Sequence, residues 1–218
     1  MPRRRAILVA AVVGVLFACA PAADAENSIS DYFRMYYAQQ VAGGAYKGPL
    51  DFLRDAAGVD QALKPSASRR VMVDRVHGYL QIDDSAGTDQ TLTMAVYRKT
   101  DGATLLVVGG SNCADACDFS VEFFAATADS LRSVPRDAVV PPIEAKQFIK
   151  PGHPMPKALA SLEPSVNYLP ARIGTTLTLA PWYGYEVEEQ MSSVTRSAIR
   201  NVVIDWDAKQ GKFVGQAR

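Results

Sequence analysis

The sequence predicts an α+β fold in which short helices pack on antiparallel β-sheet. Apolar residues recur at helical spacing between residues 28 and 57, and from Arg70 onward the period changes to two. Short turn signals separate the alternating runs, with Thr100-Asp101-Gly102 the plainest of them.

The first helix is expected from Ser28. Ser28-Ile29-Ser30-Asp31 has the spacing of a capping box, and Ile29, Phe33, Tyr36, Tyr37 and Val41 form one face before Gly43-Gly44 interrupts. A second short helix is predicted from Pro49 to Ala57, with Leu50, Leu53 and Ala57 as its buried stripe. Val71 and Val73, then Leu80 and Ile82, read as half-buried strands joined by a bend at His77-Gly78. Leu92, Met94 and Val96 alternate with Thr91, Thr93, Ala95 and Tyr97, and Thr104 to Val108 supplies the return strand. Phe119, Val121 and Phe123 begin the next strand. Ala128-Asp129 turns into a short one near Leu131 to Val134, which completes an antiparallel meander.

Five prolines, Pro141, Pro142, Pro151, Pro154 and Pro156, interrupt the pattern between Arg136 and Pro156, leaving room for a short helix from Ile143 to Ile149. Another is expected from Lys157 to Leu162. Strands resume at Val166-Asn167-Tyr168 and Thr175 to Leu179, and Val202, Ile204 and Trp206 open a terminal hairpin that turns at Asp207 to Gly211. The expected organisation is therefore a signal segment (1–25), an α+β unit with a meander (26–134), a proline-rich connection (135–156) and a β-rich unit packed on the first (157–218). Thr91-Leu92-Thr93-Met94 echoes Thr176-Leu177-Thr178-Leu179, which raises two tandem α+β repeats as a reading.

The address is read from the N-terminus. Arg3, Arg4 and Arg5 precede an apolar run of 13 residues, Ala6 to Ala18, and Ala23-Asp24-Ala25 has the small-x-small form of a signal peptidase site. A run of that length falls short of the roughly 20 residues needed to span a bilayer core. Export to the periplasm or medium is expected, with the mature chain starting at Glu26. Arg4-Arg5 also fits a twin-arginine pattern, and Leu16-Phe17-Ala18-Cys19 resembles a lipoprotein box that would anchor the chain at Cys19. Three of the 23 Lys and Arg and one of the 23 Asp and Glu lie in the segment, leaving 20 basic and 22 acidic side chains. That balance gives no basic footprint for nucleic acid.

Cys113 and Cys117 form an even pair in a compartment that permits disulfides, and the bridge would fix the turn between two strands. Metal binding is not expected, because no second cysteine or histidine pair stands at ligand spacing, and no cofactor is expected. No catalytic residue is assigned. His77 and His153 are the two histidines, and each reads as a turn residue. Gly109-Gly110-Ser111-Asn112-Cys113 lacks the second glycine of a nucleophile elbow, and its glycines read as a bend into the cysteine loop. Asp83-Asp84 reads as a loop start, and Glu186-Val187-Glu188-Glu189 as a solvated surface.

The best candidate for function is Pro181-Trp182-Tyr183-Gly184-Tyr185-Glu186. Trp and Tyr combine a large contact area with few torsions to freeze, so Trp182, Tyr183 and Tyr185 are the candidate binding residues. The alternative is that these rings cap the core. The functional expectation is an exported, non-catalytic binding protein, of inhibitor or immunity type, that acts on a protein or cell-envelope component. The alternatives are an envelope hydrolase using His77 or His153 as base, and a structural or assembly lipoprotein.

Overall fold

The computed structural model describes residues 27–42, 44 and 47–215. The signal segment, the cleavage boxes and Cys19 lie outside the described residues, as does Gly43.

Helix α1 (Ile29–Tyr36) starts as its capping box predicts. The Ser28 hydroxyl accepts from the Asp31 backbone N–H, and the Asp31 carboxylate accepts from the Ser28 N–H at 2.9 Å. The helix continues into a π-turn, Tyr37–Val41. Ile29, Phe33 and Tyr36 are buried on one face, joined by Leu50, Phe52 and Leu53 at and within α2 (Asp51–Asp55). A further single turn, α3 (Val59–Ala62), follows.

Six strands form one antiparallel meander in sequence order: β1 (Arg69–Asp74), β2 (Tyr79–Asp84), β3 (Asp89–Arg98), β4 (Thr104–Cys113), β5 (Cys117–Ala126) and β6 (Leu131–Val134). A second antiparallel sheet has the order β10-β9-β8-β7. It is built from β7 (Ser165–Pro170), β8 (Thr176–Trp182), β9 (Val202–Asp207) and β10 (Lys212–Gly215). Helices α5 (Tyr185–Gln190) and α6 (Ser193–Ala198) cross from β8 to β9. The single turn α4 (Arg136–Val139) and a 3-10 turn, Ala145–Phe148, lie in the connection between the sheets. The element order thus differs between the sheets: helices precede all six strands of the first, whereas two helices divide the four strands of the second. The resemblance of residues 91–94 to 176–179 is one of strand pattern, in β3 and β8.

The six-stranded sheet is the middle of three layers. On one face Leu80, Ile82, Leu92, Met94, Leu106 and Phe124 pack under the N-terminal helices. On the other, Tyr79, Ala95, Tyr97, Leu105, Val107 and Phe123 meet Tyr168, Leu177, Leu179, Ile204, Trp206 and Phe213 of the second sheet. Half-burial is the expectation for β1 and β2, and β1 meets it; side chains alternate across a strand, and both faces of β3 are covered. Thr93, which the alternation would leave on a polar face, is buried under the second sheet. The aromatic rings of the two sheets meet directly, with the Tyr97 and Trp206 centroids 5.7 Å apart.

Gly109 and Gly110 explain how closely the layers approach. Neighbouring strand residues face opposite sides, so each glycine opens a different face. A Cβ on Gly109 would stand 2.6 Å from the Tyr168 carbonyl oxygen of β7. One on Gly110 would stand 2.7 Å from Ser120 Oγ and 3.3 Å from Leu50 Cδ1. The expected bend is corrected accordingly: both residues lie within the regular β4 ladder, and their missing side chains admit β7 and Leu50.

Candidate functional site

The cysteine pair and the aromatic segment, separated in sequence, share one corner of the molecule. Cys113 and Cys117 close the β4–β5 hairpin at disulfide-bonding separation, with Cα atoms 4.1 Å apart. Trp182 is the last residue of β8, pairing with Ser165, and Gly184 leaves the strand at a φ of 92°, a backbone region L-residues rarely adopt. That turn places Tyr185 at the start of α5. Its ring meets Trp182 edge to face, with centroids 4.8 Å apart and planes at 85°. The Tyr185 hydroxyl lies 3.8 Å from Cys117 Sγ, and since a disulfide sulfur carries no proton the hydroxyl is the donor. Tyr185 is exposed and Trp182 half-buried. An edge-to-face pair standing on a closed hairpin is a preordered, amphipathic contact surface.

Tyr183 is not part of that pair. It lines a different cleft, between β8 and the α5–α6 excursion, and its hydroxyl is buried without a hydrogen-bond partner. Burial pushes its pKa above the ordinary phenol value.

The histidines lie elsewhere. His77, in the β1–β2 hairpin, has Nδ1 3.0 Å from Asp74 Oδ2, and Arg172 of the β7–β8 turn donates to the same oxygen at 2.8 Å. The Arg172 hydrogen bond, then that of His77, holds the Asp74 carboxyl well below the usual carboxylate range. His153 occupies an exposed turn whose N–H donates to the Lys150 carbonyl at 3.1 Å. Neither imidazole lines the cleft beside α4.

That cleft, of about 670 Å³, lies along α4, the proline pair and β7, with Arg136, Pro141, Pro142, Glu144, Glu163 and Tyr168 among its walls. Nothing in the sequence reading pointed to it. Its residues come from two stretches, 136–148 and 163–168, without a shared motif, and α4 is too short to show a period.

The first acidic pair departs from its reading and the second agrees with it. Asp83 and Asp84 end β2 rather than start a loop. Asp84 is buried, takes an ion pair from Arg69 across the β1–β2 ladder, and accepts from the Ala86 N–H at 2.8 Å. Glu186, Glu188 and Glu189 lie on α5, which has no buried residue. Among the described residues no group of three His, Cys, Asp or Glu could hold a metal ion. No described helix is long and apolar enough to cross a membrane.

One acid is strained by its surroundings. Glu122, on the helix-covered face of β5, accepts from the Tyr36 hydroxyl at 2.6 Å, yet burial raises its pKa above the ordinary carboxylate value. A raised native pKa means the folded state holds the proton more tightly, so the group's stabilising contribution is complete below its unfolded pKa and lost as pH rises through the folded one. Glu122→Gln is therefore expected to raise the urea midpoint at pH 7. The gain should close below about pH 4, where the carboxyl is protonated in both states. A gain independent of pH would contradict the assignment.

These features define a three-layered α+β protein with helices on one face of a central meander and a second antiparallel sheet on the other. No family model matches the sequence, and no curated protein matches it. The fold is similar to that of a domain of an uncharacterized protein from Porphyromonas gingivalis W83, with a TM-score of 0.54 and 14% identity over 86% of this chain and 98% of that one. That likeness concerns the fold.

Proposed function

We propose that this chain works outside the cytoplasm as a non-catalytic binding protein, of inhibitor or immunity type, whose partner is a protein of the cell envelope. The observation that carries the reading is the Trp182–Tyr185 ring pair set against the Cys113–Cys117 hairpin. A disulfide belongs to oxidising compartments, which agrees with the export segment read at residues 1–25. An exposed tyrosine set edge to face against a half-buried tryptophan already has much of its side-chain freedom removed, so less entropy is lost when a partner docks there.

The test separates surface from core. Tyr185→Ala should cost about 1 kcal/mol of folding stability, the scale of one aromatic pair contact. Retention of an envelope protein on immobilised chain should fall by about 2 kcal/mol or more, the scale of an interface hot spot. Paired denaturant melts and retention assays on Tyr185→Ala and Trp182→Ala give both numbers. A loss of about 3–5 kcal/mol of stability in both variants would mark the rings as core and end the reading.

A further inference from the structure

The cleft beneath Tyr183 has its own chemistry, independent of the ring pair. It measures about 350 Å³ and lies between the end of β8, the α5–α6 excursion and the segment leading into β9. Two arginines, Arg196 and Arg200, line it, and a main-chain carbonyl holds each guanidinium. Arg196 Nη2 donates to the Glu188 carbonyl at 2.6 Å, and Arg200 Nε donates to that of Gln147 at 2.9 Å. Neither forms an ion pair among the described residues. Each guanidinium carries five N–H donors, and the single contact to each leaves a planar fork of the kind that grips a carboxylate. Glu188 lines the same cleft, and its carboxylate forms no ion pair among the described residues. Met191 and Ile199 supply apolar wall, and the buried Tyr183 hydroxyl is an orphaned donor at the margin.

Two fixed cations, one anion and an apolar wall in so small a volume match a ligand that carries the complementary set. The geometry points to a binding site for a small aliphatic amino acid, its carboxylate on Arg196 and Arg200, its ammonium on Glu188 and its side chain against Met191 and Ile199. Tyr183, whose buried hydroxyl has no hydrogen-bond partner, lines the same cleft. A buried polar group without a partner is uncommon in folded proteins, and at a ligand site the ligand is its natural partner.

L-leucine is the probe, followed by NMR titration of the intact exported chain. Binding on the order of 1 mM is expected for a ligand of this size. Leucinamide, which lacks the carboxylate, and 4-methylpentanoate, which lacks the ammonium, should each bind about tenfold more weakly, the loss of one charge-assisted contact. Arg200→Gln should weaken leucine by a similar factor, and Glu188→Gln should remove the preference for leucine over 4-methylpentanoate. Tyr183→Phe should weaken leucine about threefold without lowering the melting midpoint, because the hydroxyl it removes has no partner to lose. Absence of any leucine shift at concentrations on the order of 50 mM would overturn the assignment. So would equal binding of 4-methylpentanoate and inorganic phosphate, which marks a general anion site, or unchanged leucine binding in Arg200→Gln. None of these outcomes bears on the Tyr185 surface.

Discussion

Trp206→Ala is expected to lower folding stability by about 3–5 kcal/mol, the range for removing a large buried aromatic. Trp206 lies in β9 between the sheets and is 7% exposed. Its ring packs 5.7 Å from Tyr97 and 5.3 Å from Phe213, while Nε1 donates to the Arg98 carbonyl at 2.8 Å. Truncation leaves a cavity between two layers and removes the indole donor from the Arg98 carbonyl, and the cavity cannot close without sliding one sheet on the other. Trp206→Phe should recover part of the packing but not the hydrogen bond, and so fall between. Urea unfolding of both variants measures the effect. A loss below about 1 kcal/mol would mean the second sheet adds little to the global barrier.

Gly109→Ala comes next, at about 3 kcal/mol, the upper part of the usual overpacking range. The added methyl would stand 2.6 Å from the Tyr168 carbonyl oxygen and 2.9 Å from Thr93 Oγ1. The first of these is backbone held in the β7–β8 ladder, so it cannot rotate away. Gly215→Ala is the control: a Cβ there meets nothing within 4 Å, and the residue ends edge strand β10. Little change is expected for Gly215→Ala. Equal effects at both positions would show that the contact at Gly109 is not what matters.

The meander was readable because β-structure with short turns writes itself locally. Val71 and Val73, Leu80 and Ile82, and Leu92 and Met94 all fall in strands, and Asp101-Gly102 falls in the β3–β4 turn. The capping box at Ser28 was equally local. What failed to show was of two kinds. Helices α3 and α4 are single turns, and α5 has no buried face, so no apolar period exists to be seen. The second covered face of β3 depends on a sheet some eighty residues away. Thr93 looks like solvent-facing polarity until Gly109 lets β7 settle close by. The candidate surface divides the same way. Trp182, Tyr185 and the cysteine pair were each visible by composition, but the contact between Tyr185 and Cys117 spans 68 residues. Arg196 and Arg200 carried no motif. Their meaning comes from the carbonyls that aim them.

Covering both faces of the central sheet leaves its strand edges as the places where one copy could extend another's ladder. All four edge strands carry devices that oppose such self-pairing. β1 carries Arg69, Arg70 and Asp74 within six residues. β6 is four residues long with an exposed Arg132, and β10 is four residues beginning with exposed Lys212. β7 ends in Pro170, which has no N–H to donate. A chain nearly neutral in charge, with 23 basic and 23 acidic side chains, gains little colloidal repulsion from its net charge. What opposes edge-to-edge pairing in this protein therefore lies in individual charges, two short strands and one proline along four strand margins.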